Sequence, residues 1–218
     1  MTVLTEKSNI FKIITEPRKQ FERLRRKPGL VIPILIMLLI GIVNITLALL
    51  INPDVSEEMS QSGTLYAITT IFSALMEFFT IVMVLIMRAV LLMIIMMFVE
   101  PGEDIQYPIT IAIYTYIVVQ IGALVSTIIA FLVNGNPQKD HTSLGLIYAR
   151  DMNTNEFIND VTYIFLSSIN PFQLWMLILV FIGVKVLYKT TTLKAVVATI
   201  LFYILPLLGS LFLGSLLY

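Results

Sequence analysis

Residues 23–58 read RLRRKPGLVIPILIMLLIGIVNITLALLINPDVSEE. An uncharged, mostly apolar run, Val31–Ile51, lies between a basic flank and an acidic one. A bilayer core about 30 Å thick is crossed by about 20 such residues of helix. This stretch therefore reads as a membrane span, and four more apolar stretches follow it: Leu65–Phe98, Ile109–Val133, Pro171–Leu187 and Ala195–Tyr218. Pro171–Leu187 sits at the lower limit of length. The pattern predicts an all-α, polytopic membrane protein with five transmembrane helices at about 31–51, 72–98, 109–133, 171–188 and 195–217.

Composition agrees. Of 218 residues, 58% are hydrophobic and 13% charged, with a mean hydropathy of +0.92. Soluble domains run about 45–50% apolar and about 25% charged. The chain has no cysteine, which excludes disulfides, thiolate metal sites and cysteine nucleophiles. A long polar leader precedes the first span without a small-residue cleavage site, so Val31–Ile51 is expected to be retained rather than cleaved as a signal. Thr2 and the Leu217-Tyr218 end carry no lipidation motif.

Lysine and arginine in the connections set orientation. Residues 1–30 carry eight: Lys7, Lys12, Arg18, Lys19, Arg23, Arg25, Arg26 and Lys27. Asn52–Thr64 carries none but has Asp54, Glu57 and Glu58, and Val99–Pro108 carries none. Asn134–Asp160 holds Lys139 and Arg150, and Lys185, Lys189 and Lys194 flank the fourth connection. The N-terminus is thus expected in the cytoplasm and the C-terminus outside, in a multi-pass protein of the cell membrane.

Residues 1–30 read as a cytoplasmic, basic, amphipathic segment ahead of a membrane domain at 31–218. Ile10, Phe11, Ile13 and Ile14 cluster, Thr15-Glu16-Pro17 starts a helix, and Phe21 and Leu24 share a face among basic residues. Such a helix is expected to lie on the anionic inner leaflet. Phe11, Pro17, Phe21, Leu24 and Arg25 are its candidate contacts with the membrane surface or a partner, and a bare topology anchor is the simpler alternative. Between spans three and four, residues 134–169 form an outer loop. Within it, Met152–Ile169 reads as a short surface helix, with Thr154 as cap and Phe157, Val161, Ile164 and Phe165 at helical spacing.

Ionisable groups inside spans are costly and are candidate functional sites. Glu77 and Arg88 lie in the second stretch, eleven residues apart and about 16 Å along the axis. Counting depth from the span ends sets Arg88 near mid-membrane, level with Gln120 and Asn44, and Glu77 at the outer interface. Asn44, Arg88 and Gln120 are expected to form a polar cluster, either as glue between helices or as a site. Ser210 and Gly214 give the last span a small-xxx-small face that would suit a partner helix or a second copy, and Pro206 would kink it. Methionines cluster from Met76 to Met97, and Trp175 and Tyr188 suit interfacial belts.

No catalytic constellation is present. His141, the one histidine, stands beside Asp140 in the outer loop and reads as a solvated residue. A paired-histidine metal site, a Ser–His dyad in a span and a Walker-type phosphate loop are all missing. No metal, cofactor or nucleic-acid site is expected.

The run Phe11-Lys-Ile-Ile-Thr-Glu-Pro17-Arg-Lys-Gln-Phe21-Glu-Arg-Leu24, followed by Lys27-Pro28, resembles the opening of bacterial Yip-domain proteins. Asn170-Pro171-Phe172-Gln-Leu-Trp175, continuing to Gly183-Val-Lys185-Val, resembles their fourth span, and the five-helix layout is similar. The Asn134–Asn170 insertion and Arg88 depart from that pattern. The resemblance implies a non-enzymatic membrane protein, and within the bacterial branch the chain looks like the YknW type. By analogy it implies an accessory subunit of an ABC exporter of the MacB kind, serving resistance to a toxic peptide. The alternative is a small transporter or channel built on Arg88.

Overall fold

The structure, a computed structural model, describes residues 12–51, 63–101, 104–133, 135–136, 139–149 and 160–216, with backbone alone for 63–67 and 210–216. Among these residues every regular element is a helix. They are α1 (Lys12–Thr15), α2 (Pro17–Arg26), α3 (Val31–Ile51), α4 (Gly63–Val99), α5 (Gln106–Leu132), α6 (Gly145–Tyr148), α7 (Val161–Ser167), α8 (Pro171–Leu187) and α9 (Thr192–Leu216). Hydrocarbon offers no hydrogen bonds, so backbone groups must be satisfied within each helix. α3, α4, α5 and α9 are long and apolar enough to cross a membrane. A fifth crossing counts α7 and α8 as one bent span, with 62° between them. The protein is an all-α polytopic membrane protein.

Local signals explain the boundaries. Asn170 caps α8 by accepting from the Gln173 amide at 2.7 Å, and Pro171 occupies the first turn, where its missing N–H costs nothing. Asp160 caps α7 by accepting from the Tyr163 amide at 2.9 Å. Thr154 and Phe157 lie outside the described residues. Pro206 lies within α9, and helix continues on both sides of it.

The core is built on α5, which packs against α3, α4 and α8, while α9 closes the bundle between α4 and α8. Ile111 to Val118 are all buried, so this half of α5 is covered on every side. Gly122 permits the close approach of α8: a Cβ there would stand 2.7 Å from the Phe172 ring. At one end of the bundle, Glu100 accepts from Lys194 at 3.0 Å and from Thr190 at 2.9 Å, tying the end of α4 to the start of α9. These bonds, the Lys194 one foremost, hold the Glu100 carboxyl below its usual range. Outward faces remain apolar, as with Val31, Leu35, Phe72, Leu75 and Phe98.

The N-terminal helix corrects an expectation. α2 docks on α8 and turns its apolar face to the protein rather than to lipid. Phe21 and Leu24 are buried, so neither is a membrane-surface contact. Gly183 makes this possible. A Cβ on it would come within 2.9 Å of Ile111 and 3.0 Å of the Phe21 ring. Pro17 is half-buried at the start of α2, and Phe11 lies outside the described residues. The Tyr114 hydroxyl donates to the Gly29 carbonyl at 2.9 Å and fixes the chain between α2 and α3. Truncating a buried aromatic costs about 3–5 kcal/mol. Phe21→Ala is therefore expected to free α2 from the bundle. Trypsin should then cut at Arg18–Lys27 in micelles under conditions where the wild-type segment resists.

Candidate functional site

Arg88 lies on α4 with its guanidinium carbon 5.0 Å from the centre of the Tyr116 ring and 6.0 Å from that of Phe202. Tyr116 comes from α5 and Phe202 from α9, so three helices meet at the charge. Arg88 stands eleven positions from the end of α4 and Phe202 ten from the start of α9, about 15 Å from the helix ends that Glu100 and Lys194 join. No carboxylate and no hydrogen-bond acceptor meets the guanidinium among the described residues, and its Nη1 is buried without a partner. Aromatic faces are the substitute: their negative quadrupole attracts a cation by about 2 kcal/mol each when dry.

The expected cluster of Asn44, Arg88 and Gln120 does not form. Gln120 is buried on α5 one turn beyond Tyr116, and no hydrogen bond joins it to Arg88. Asn44 belongs to a different site, a polar pocket at the opposite end of the bundle shared with Ser126, Thr127, Lys139 and Asp140. The physical reason is register. Gly41 of α3 faces Glu77 of α4, where a Cβ would stand 3.1 Å from Oε1. For antiparallel helices this sets Val31 level with Met87, so α3 begins where the count from span ends put Asn44's neighbours. That same packing sets Glu77 level with Gly41, one turn of α3 before Asn44.

Arg88 also borders a cavity of about 630 Å³ between α4, α8 and α9. Its walls are largely apolar, with Val84, Met87, Leu91, Met176 and Leu205 among them. The roof is α7 and its junction with α8. Ser168 and Tyr203 hydroxyls there bond at 2.9 Å and close α7 onto α9. Asn170 and Gln173 border both this cavity and the polar pocket of Asn44. Ligand pockets commonly measure about 300–1,000 Å³. A desolvated cation beside such a space can take an oxyanion.

The segment between α5 and α8 forms a hydrogen-bonded cap. Asp140 accepts from the Thr142 amide at 2.9 Å, the Thr142 hydroxyl at 2.6 Å and the Asn170 side chain at 3.1 Å. Lys139 is buried, and its ammonium donates to the Ala149 carbonyl. His141 is not a free solvated residue. Its amide donates to Ser126 at 2.8 Å, and its Nε2 lies 2.9 Å from the Asn136 carbonyl. Asn170 and Pro171 thus start α8 and tie it to the cap, Trp175 is half-buried with its indole N–H unpartnered, and Gly183 is the notch for Phe21. Ser210 and Gly214 lie in α9 where backbone alone is described. Phe202 and Tyr116 were missed in the sequence, though counting aromatics at the depth of Arg88 on each span would have found both.

The family model described as the Yip1 domain matches residues 11–214. The chain belongs to the Yip1-domain family. No curated protein and no solved structure matches it. As a Yip1-domain protein it is a multi-pass membrane protein. The match runs through α2, the Arg88 centre and the cap between α5 and α8 alike.

Two outcomes follow. Burying a charge at a helix centre costs about 2.5–3.5 kcal/mol on insertion scales, and the two aromatic contacts return a similar sum. Arg88→Met is therefore expected to leave the melting midpoint of the Yip1-domain protein in micelles unchanged or raised. A marked fall would mean that Arg88 serves as structural glue. The amide of Tyr163, and then the Tyr148 hydroxyl, hold the Asp160 carboxyl below its usual range. A lowered folded value means stability that is complete above about pH 4 and lost as pH falls through that value. Amide exchange in α7 should accordingly rise on acidification before exchange in α5 does.

Proposed function

We propose that this Yip1-domain protein is a non-enzymatic accessory protein of the bacterial cell membrane. In this reading its N-terminus faces the cytoplasm and its C-terminus the outside. It assists an ABC-type exporter of the MacB kind in resistance to a toxic peptide. The observation that carries the reading is the family match over residues 11–214, taken with the likeness of Phe11–Leu24 and Asn170–Trp175 to bacterial Yip-domain proteins; the exporter role comes by analogy with the YknW type. The uneven spread of lysine and arginine supports the orientation. An exposed apolar stripe on α4, Ile68, Phe72, Leu75 and Phe79, supports a helical partner within the bilayer.

A second reading is a small transporter or channel, and the cavity at Arg88 favours it. The two separate cleanly. Crosslinking in native membranes followed by affinity purification should bring down exporter subunits in fixed proportion to the protein. Isolation of the chain alone, or only with copies of itself, would sink the accessory reading. In the transporter reading, Arg88→Gln abolishes flux in vesicles while the amount of folded protein stays the same.

A further inference from the structure

Docking α2 on α8 creates a further concavity, of about 590 Å³, at the edge of the bundle. Four cations border it: Arg18 and Arg25 from α2, Lys185 from the last turn of α8, and Lys189 just beyond it. Glu22 is its one acidic residue, which leaves an excess of three positive charges. Glu22 meets Arg18 at 3.3 Å in a pair that is largely exposed and so weak. Lys185 donates to Thr192 at 2.9 Å and lies 5.8 Å from the Phe181 ring, contacts that orient its ammonium without neutralising it. Arg25 and Lys189 meet no acceptor among the described residues. Lys189 also has a φ of 51°, a left-handed backbone that lysine rarely adopts and that sharply turns the chain out of α8.

The groove also has an apolar lining, on the same helix as Lys185. Phe181, Ile182 and Val186 continue from the groove along the half-buried flank of α8. The groove therefore changes from cationic to hydrocarbon-like within two helical turns, at the end of a span. An amphiphile meets that sequence of environments where its phosphates sit above its acyl chains. Basic pockets between helices at a membrane surface suit phospholipid headgroups.

We propose that the α2–α8 groove is a binding site for an anionic phospholipid, with headgroup phosphate on Arg25, Lys185 and Lys189 and acyl chain along Phe181–Val186. The excess of three charges suits a headgroup with two phosphates over one with a single phosphate or a zwitterion. The lipid fills the space that α2 leaves when its apolar face turns inward, so the N-terminal segment meets the leaflet through this site. The proposal rests on the groove alone and needs neither an exporter nor flux through Arg88.

The test uses the full-length protein in mixed micelles of diphosphatidylglycerol and phosphatidylcholine, with retained lipid read by native mass spectrometry. The wild type is expected to retain diphosphatidylglycerol about tenfold over its share of the mixture. The triple change Arg25→Gln, Lys185→Gln, Lys189→Gln should abolish that preference. These side chains are exposed or half-buried, so an unchanged gel-filtration profile should accompany the loss. A control with the same charge removed off the groove, Lys19→Gln, Arg26→Gln, Lys27→Gln, should keep most of the preference. Equal retention of the two lipids by the wild type, or an equal loss in both triples, would overturn the site.

Discussion

Close packing around α5 is the constraint on which the rest depends. Eight consecutive buried residues, Ile111–Val118, admit no lipid on any side, so neighbours must come to the helix from all directions. Small residues set how near they come. Gly122 lets the Phe172 side chain of α8 reach the backbone, and Gly183 lets both Ile111 and Phe21 press on α8 from two sides. Without a hydrophobic drive between helices in lipid, such van der Waals fit is a main source of association. The basic N-terminal helix is drawn into the same fit, which is why its apolar face is interior while its cations stay outside.

That packing also decides what surrounds Arg88. A guanidinium has five donors, and a polar cluster would satisfy them best. The axial shift of α3 carries Asn44 away to the polar pocket, and Gln120 makes no hydrogen bond to the charge. Tyr116 and Phe202 remain, and they attract the cation without accepting its hydrogens in the plane. A charge so placed keeps unspent hydrogen-bonding capacity beside a cavity roofed by α7. The cap between α5 and α8 behaves in the opposite way: Asp140 collects donors from the loop and from Asn170, so the insertion is tied to the start of α8.

The two regions differ in how legible they were. Helix boundaries at Asn170-Pro171 and at Val31 could be read directly, because caps and apolar length act locally. The separation of Asn44 from Arg88 could not, because depth counted from each span's own end assumes that all spans start level. Gly41 against Glu77 shows that α3 does not. The fate of Phe21 was hidden for a related reason. An amphipathic helix with a basic face fits a leaflet and a protein groove equally well, and the notch that chose between them is a glycine 162 positions away in sequence. His141 looked solvated because nothing near it in sequence announces Ser126 as its partner.

The sequence by itself determined that this protein is a helical bundle in a membrane. Apolar runs of 17 to 34 residues, read as helices, satisfy the backbone hydrogen bonds within each span in hydrocarbon. Tertiary structure alone decided which polar groups meet, because that depends on the axial shift between helices. Shifts are set by where small and large side chains interlock, and a one-dimensional count of residues carries no record of them.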